Sequence, residues 1–251
     1  MEERFTGTEL DPSRWVASYL PAWSSRAASA ATYDLGSDGL RLSIPPQHPL
    51  WCPDLHEEPL RVSAVQSGSW SGPVGSTHGQ QPFRDGLVVR EAQPTLHGIV
   101  PHRGRIEVEC SARVGAGSMF SAWMVGMEDE PDRCGEICLV EVFGSTVTDG
   151  TAEVGRGVHP FRDPALVEEF AAPRTTLDVS SPHVYAVDWR PDGIDWTIDG
   201  ELVASSTQSP DYPMMLILGV FDFPEATPHA GADLVPGLVV HRVAVTAAAT
   251  P

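Results

Sequence analysis

A chain of 251 residues with 41% hydrophobic content can bury a sizeable core, and its length suits one large β sandwich or barrel better than two small domains. The formal charge is -18, and all 16 basic residues are arginine. That balance argues against a nucleic-acid partner, which needs clustered cations, and the lack of lysine excludes Schiff-base chemistry and the P-loop.

Residues 1–5 are charged and lead into no apolar run that would serve as a secretory signal. No segment approaches the ~18 to 20 apolar residues that span a bilayer. Cys52, Cys110, Cys134 and Cys138 are too few for a disulfide framework and fit a reducing compartment. The expectation is a cytoplasmic protein with no membrane partner.

Along the chain, strand patterns dominate. Residues 39–44 alternate apolar and polar side chains, as do residues 104–110. Residues 45–49 and the glycine-rich stretch 68–79 read as surface loops. One helix is expected over residues 164–170, with Asp163 as N-cap and Pro164 at the first helical position. Strands follow at 183–189 and 194–199, separated by Pro191, Asp192 and Gly193. Asp199 and Gly200 then reverse the chain into 201–203, a strong short-range hairpin signal. Residues 214–220 and 237–245 complete the set. Many short strands punctuated by Gly and Pro predict an all-β sandwich of antiparallel sheets, with no linker dividing residues 1–251.

Residues 135–144 carry the chemistry. Glu136 and Glu141 sit five positions apart in an apolar, β-prone run bounded by Gly135 and Gly144. Glutamate is depleted in strands, so two in one hydrophobic strand suggest paired-carboxylate chemistry. Simple alternation puts them on opposite faces. A β-bulge between Cys138 and Glu141 would return Glu141 to the face of Glu136. Their Cα atoms would then lie roughly 13 Å apart at ~3.3 Å per residue, a gap that inward-leaning side chains can largely close.

The run from Glu136 to Glu141 resembles the E-[ILV]-D-x-x-E signature of glycoside hydrolase family 16, the laminarinases, lichenases and relatives. Flanking segments resemble the family too: Trp123 in an upstream apolar strand, His183, Tyr185 and Trp189 in one downstream strand, Trp196 with Asp199 and Gly200 in the next, and Leu10 to Trp15 near the start. The resemblance implies a concanavalin A-like β-jelly roll of two antiparallel sheets with a cleft. It further implies a retaining hydrolase of a β-linked glucan or galactan, with Glu136 as nucleophile and Glu141 as general acid/base. His159 falls where the family carries an active-site histidine. Trp123 and Trp196 fit either a sugar-stacking face or the core, and Phe143 is a further candidate in the binding surface. No cofactor or metal is called for.

Cys138 is the departure, because its slot holds an aspartate in the family. A neutral thiol is a weak donor and brings no charge, so impaired or retuned hydrolysis is expected. A Cys138 nucleophile would need a depressed pKa and a nearby base. Zinc shared by Cys134 and Cys138 is disfavoured, since an extended strand holds them roughly 13 Å apart. Two alternatives stay open: a silent carbohydrate-binding protein, and a repurposed intracellular enzyme acting on a small molecule. A long open cleft would favour the hydrolase or the binder, and a short closed pocket the small-molecule enzyme.

Overall fold

The structure is a computed structural model that describes residues 1–225 and 234–247. Two sheets face one another. The larger runs, in spatial order, β16 (Glu201–Ser206), β15 (Gly193–Ile198), β14 (His183–Arg190), β7 (Gly104–Arg113), β18 (Gly237–Thr246), β3 (Gly39–Ser43) and β2 (Tyr33–Gly36). The short β1 (Glu2–Glu3) also pairs with β18. The six-stranded sheet runs β12 (Glu169–Ala171), β11 (Gly155–His159), β9 (Glu136–Phe143), β8 (Ser118–Gly126), β17 (Met214–Asp222) and β4 (Arg61–Gln66). Two small ribbons pair β5 (Gly68–Ser69) with β6 (Leu96–His97), and β10 (Thr151–Glu153) with β13 (Arg174–Thr176). The pairings within both large sheets are antiparallel, as the expected jelly-roll sandwich requires.

Alternation explains the main core. β7 reads buried and half-buried in turn, and its Ile106, Val108, Cys110 and Ala112 all point between the sheets. Across from them pack Phe120, Met124, Ile137, Val140 and Leu216 of the six-stranded sheet. Each such aliphatic or aromatic side chain contributes ~1.5–3 kcal/mol by leaving water. The Asp199 and Gly200 turn forms as expected, with φ values of 51° and 85° that suit a tight hairpin between β15 and β16.

A second apolar cluster covers the other face of the six-stranded sheet. Trp123, Val125, Met215 and Ile217 rise from β8 and β17 and are roofed by Leu20, Trp23, Trp51, Leu87 and Val89. This roof corrects the loop reading of residues 68–79. Gly68 and Ser69 are buried in β5, and a Cβ on Gly68 would meet Met127 and Met215 side chains at 2.7 Å. Residues 45–49 are not wholly at the surface either: His48 is buried, with Nε2 donating to the Val62 carbonyl at 2.8 Å.

The expected helix at 164–170 does not form. Asp163 does cap a turn, its Oδ1 accepting from the Ala165 N–H at 2.8 Å. Beyond that the Val167 N–H donates to Gln208 Oε1 at 2.7 Å, and residues 169–171 pair with β11 as edge strand β12. Tertiary partners outcompete so short a helix. The helical turns among the described residues are short 3₁₀ pieces, Pro21–Trp23 and Gly144–Thr146.

Candidate active site

Strand β9 breaks its own alternation once. Ile137, Leu139, Val140 and Val142 all face the intersheet core, so Leu139 and Val140 point the same way in succession. On β8, Ala122 pairs with Val140 and Trp123 with Cys138, which leaves Leu139 unopposed. On β11, Gly155 pairs with Glu141 and Gly157 with Cys138, so three steps on β9 match two. This is a β-bulge. It puts Glu136, Cys138, Glu141 and Phe143 on one face, the arrangement that the bulged reading of the sequence required. The Trp196 indole steadies the distorted segment by donating to the Cys138 carbonyl at 2.8 Å.

Both carboxylates are half-buried. Burial, then the charge of Glu141, push Glu136 up to about 8, against the opposing amide of Gln81, which donates through Nε2 to Glu136 Oε2 at 3.1 Å. Burial also raises Glu141, with His159 pulling the other way. The pair therefore retains a proton at neutral pH. Between them Cys138 is buried, and burial joined by both neighbouring carboxylates drives its thiol well above the usual range. Such a thiol stays protonated and is a poor nucleophile. Its sulfur lies 4.0 Å from the Gly155 carbonyl.

The remaining expected residues divide. His159 lies opposite Glu136 on β11, stacks on Phe170 at 4.7 Å, and shares a 2.8 Å contact with Glu168 through Nδ1. Trp123 stands beside Cys138 on the same face and donates to Gln81 Oε1 at 3.4 Å. Phe143 is exposed at the end of the row and stacks with Phe223 at 6.1 Å. Trp196 is a correction: only 2% exposed, it lies between the sheets and presents no face to a ligand. Cys134 lies outside the row, its sulfur accepting from the Arg162 N–H at 3.1 Å.

Several residues at the site carry no sequence pattern. Gln81 comes from the roof loop. Behind it, Glu128 is 3% exposed, accepts from the Gln81 backbone N–H and pairs with Arg162. Burial raises Glu128 to about 7 despite both partners. Tyr19, Trp51, Phe83, Phe161 and the Glu128/Arg162 pair line a pocket of about 220 Å³ that also includes Gln81 in its wall. The entry to β9 is fixed by Tyr212, whose hydroxyl accepts from the Gly135 N–H at 2.8 Å and donates to Asp163 at 2.6 Å. Among the described residues, no cluster of three or more His, Cys, Asp or Glu is arranged to hold a metal ion, and no helix is long and apolar enough to cross a membrane.

The family model for Glycosyl hydrolases family 16 matches residues 101–231, which span the bulged strand and both glutamates. The chain belongs to glycoside hydrolase family 16. Its architecture is that of the family: a laminarinase from Flavobacterium sp. UMI-01 superposes with a TM-score of 0.63 at 18% identity, covering 98% of each chain. The GlcNAcα1-4Gal releasing endo-β-galactosidase from Clostridium perfringens gives a TM-score of 0.82 at 25% identity, over 98% of this chain and 60% of that one. Crh-like protein 5 of Aspergillus fumigatus is 29% identical over 124 residues, 46% of this family 16 chain and 29% of the fungal protein. The chain thus spans less than two thirds of both the galactosidase chain and the fungal relative.

Proposed function

We propose that this family 16 chain is a retaining glycoside hydrolase of a β-linked glycan, with Glu136 as nucleophile and Glu141 as general acid/base. The observation that carries the reading is the bulge at Leu139, which brings two half-buried carboxylates onto one face of one strand. Glu136 attacks the anomeric carbon while Glu141 gives its proton to the departing oxygen. The Glu141 carboxylate then takes a proton from the water that opens the glycosyl ester and frees Glu136. The coupled pair holds one proton near neutrality, and the first step needs that proton on Glu141 with Glu136 ionised.

A β-galactosidic bond is the first substrate to test, supported by the likeness to the Clostridium perfringens endo-β-galactosidase over 98% of this chain. β-Glucans come second, supported by the laminarinase likeness. The match to a Crh-like protein, together with the likeness to a structure described as the Crh5 transglycosylase, favours one further reading. In it a sugar hydroxyl replaces water in the second step, with the same residues and the same intermediate.

The test is release of reducing ends from a panel of β-galactans and β-glucans, with anomeric configuration followed by proton NMR. Glu136→Gln abolishes turnover, and Glu141→Gln lowers it ~10²–10⁴-fold. Products longer than the starting oligosaccharide assign transglycosylation. Binding by the folded wild type without any bond cleavage assigns a carbohydrate-binding role and overturns the hydrolase.

A further inference from the structure

We propose that Gln81 is a positioning residue for Glu136, its side-chain amide orienting the carboxylate and favouring its ionised form in place of the family aspartate. The proposal rests on the reading of Glu136 as the nucleophile, and it concerns what replaces the aspartate of the family motif.

Among the described residues, the Gln81 amide makes the one hydrogen bond to the Glu136 carboxylate, Nε2 to Oε2 at 3.1 Å. The orientation of that amide is fixed from the other side. Trp123 Nε1 is a donor only, so the oxygen of the amide must face the indole, which it does at 3.4 Å, and the NH₂ must face Glu136. Cys138 makes no hydrogen bond to the carboxylate among the described residues; its sulfur lies 4.0 Å from the Gly155 carbonyl.

The backbone of Gln81 is itself under constraint. Its φ is +44°, left-handed for a side chain larger than glycine, in a loop with no regular pairing of its own. The Glu128 carboxylate holds it there by accepting the Gln81 N–H, and Arg162 closes over the other carboxylate oxygen. Glu128 is almost wholly buried, so this anchor lies beneath the site rather than in solvent. A strained residue, pinned at its backbone and oriented at its side chain, thus presents one N–H to one carboxylate oxygen.

The groups facing Glu136 otherwise oppose its ionisation or leave it unaided. Glu141 lies on its own strand, Glu168 approaches from the loop before β12, and Tyr19 and Cys138 bring no positive charge. His159, opposite on β11, is engaged with Glu168. The hydrogen bond from Gln81 is the influence on Glu136 that favours the carboxylate form.

The experiment is carbon-13 NMR of side-chain-labelled glutamate in the Glu141→Gln background, which removes the coupled neighbour, with the Glu136 signal assigned by Glu136→Gln. Two variants of Gln81 are compared. Gln81→Met keeps the length and loses the donor. Gln81→Asn tolerates positive φ and keeps the backbone N–H for Glu128, but is one carbon too short to reach Glu136. In both, the Glu136 midpoint rises by about one pH unit, because a hydrogen bond to its charged form has gone. The Glu128 midpoint stays in place and reports an intact anchor. A Glu136 midpoint unmoved in either folded variant overturns the proposal. The titration needs no turnover, so failure of the hydrolase reading leaves it readable. Where a hydrolysed glycan is found, both variants lower kcat more than they change KM and move the acid limb of the pH profile upward. Equal loss at every pH would show a merely structural role and refute the proposal.

Discussion

Glu128→Gln isolates the cost of keeping a carboxylate beneath the site. Burial takes Glu128 from its ordinary 4.5 to about 7, overcoming the Gln81 N–H and Arg162. The native state therefore holds a proton that the unfolded chain has already lost at the same pH. The stability this gives is full below the unfolded value, and it disappears as pH rises from 4.5 to about 7. A shift of that size is worth about 3 kcal/mol. Glutamine has the same shape and no titration, so the variant lacks this loss. Urea unfolding at about pH 4 and about pH 8 measures it, read as the difference between the two proteins in how much stability each loses across the range. Contributions from Glu136, Glu141 and the histidines appear in both proteins and cancel, as does any fixed cost of the substitution. The wild type loses about 3 kcal/mol more than Glu128→Gln. If both proteins lose the same amount, Arg162 and the Gln81 N–H have compensated the burial, and the reasoning fails.

Further expectations follow from the same geometry. With the proposed roles, the pH profile of kcat/KM is a bell: Glu136 must ionise on the acid limb, which its burial raises above the ordinary carboxylate range, and Glu141 must keep its proton on the alkaline limb. Cys138→Asp adds an anion between the two glutamates and moves the alkaline limb upward, which steady-state rates across pH will show. Trp196→Phe removes the N–H that reaches the Cys138 carbonyl and leaves space in the core, costing about 1–3 kcal/mol in urea unfolding and lowering turnover. Gly157→Ala is strained twice over, at φ +148° and with its Cβ 2.1 Å from the Glu169 carbonyl oxygen. It costs more than ~1 kcal/mol, and amide exchange should show the β11–β12 pairing open.

Strands with regular alternation were legible. In β15, Ile194, Trp196 and Ile198 alternate with Asp195 and Thr197, and that pattern already contained the answer for Trp196: it shares the face of two isoleucines and goes to the core. Alternation failed on β9 because a bulge is a register defect, which shows in the pairing of neighbouring strands rather than in one strand's composition. Family resemblance located the two glutamates, and the pairing of β8 and β11 explains why they converge. Gln81, Glu128 and Arg162 were out of reach for another reason. Gln81 is 55 residues from the carboxylate it touches, in a loop without periodicity, so only the folded chain brings them together. The segment after Asp163 misled in the opposite sense. Its capping signal was real at Ala165, but contacts to Gln208 and β11 outweighed so short a helix.

The position of β18 sets a condition on how the molecule can be made. Residues 237–246 do not lie at a margin of the larger sheet but between β7 and β3, pairing with both. Until that segment leaves the ribosome, the sheet exists only as two halves, β2 with β3 and β7 with β14 to β16, each showing an unpaired edge backed by apolar side chains. Synthesis at ~5–20 residues per second leaves those edges open for many seconds after β7 has emerged. The nascent chain therefore depends on shielding from other strands, and a truncation before residue 237 would leave a split sheet prone to edge-to-edge aggregation. The carboxylate pair, on the other sheet, takes its backing from strands that precede β18 in the chain, with Trp196 of β15 donating to the Cys138 carbonyl.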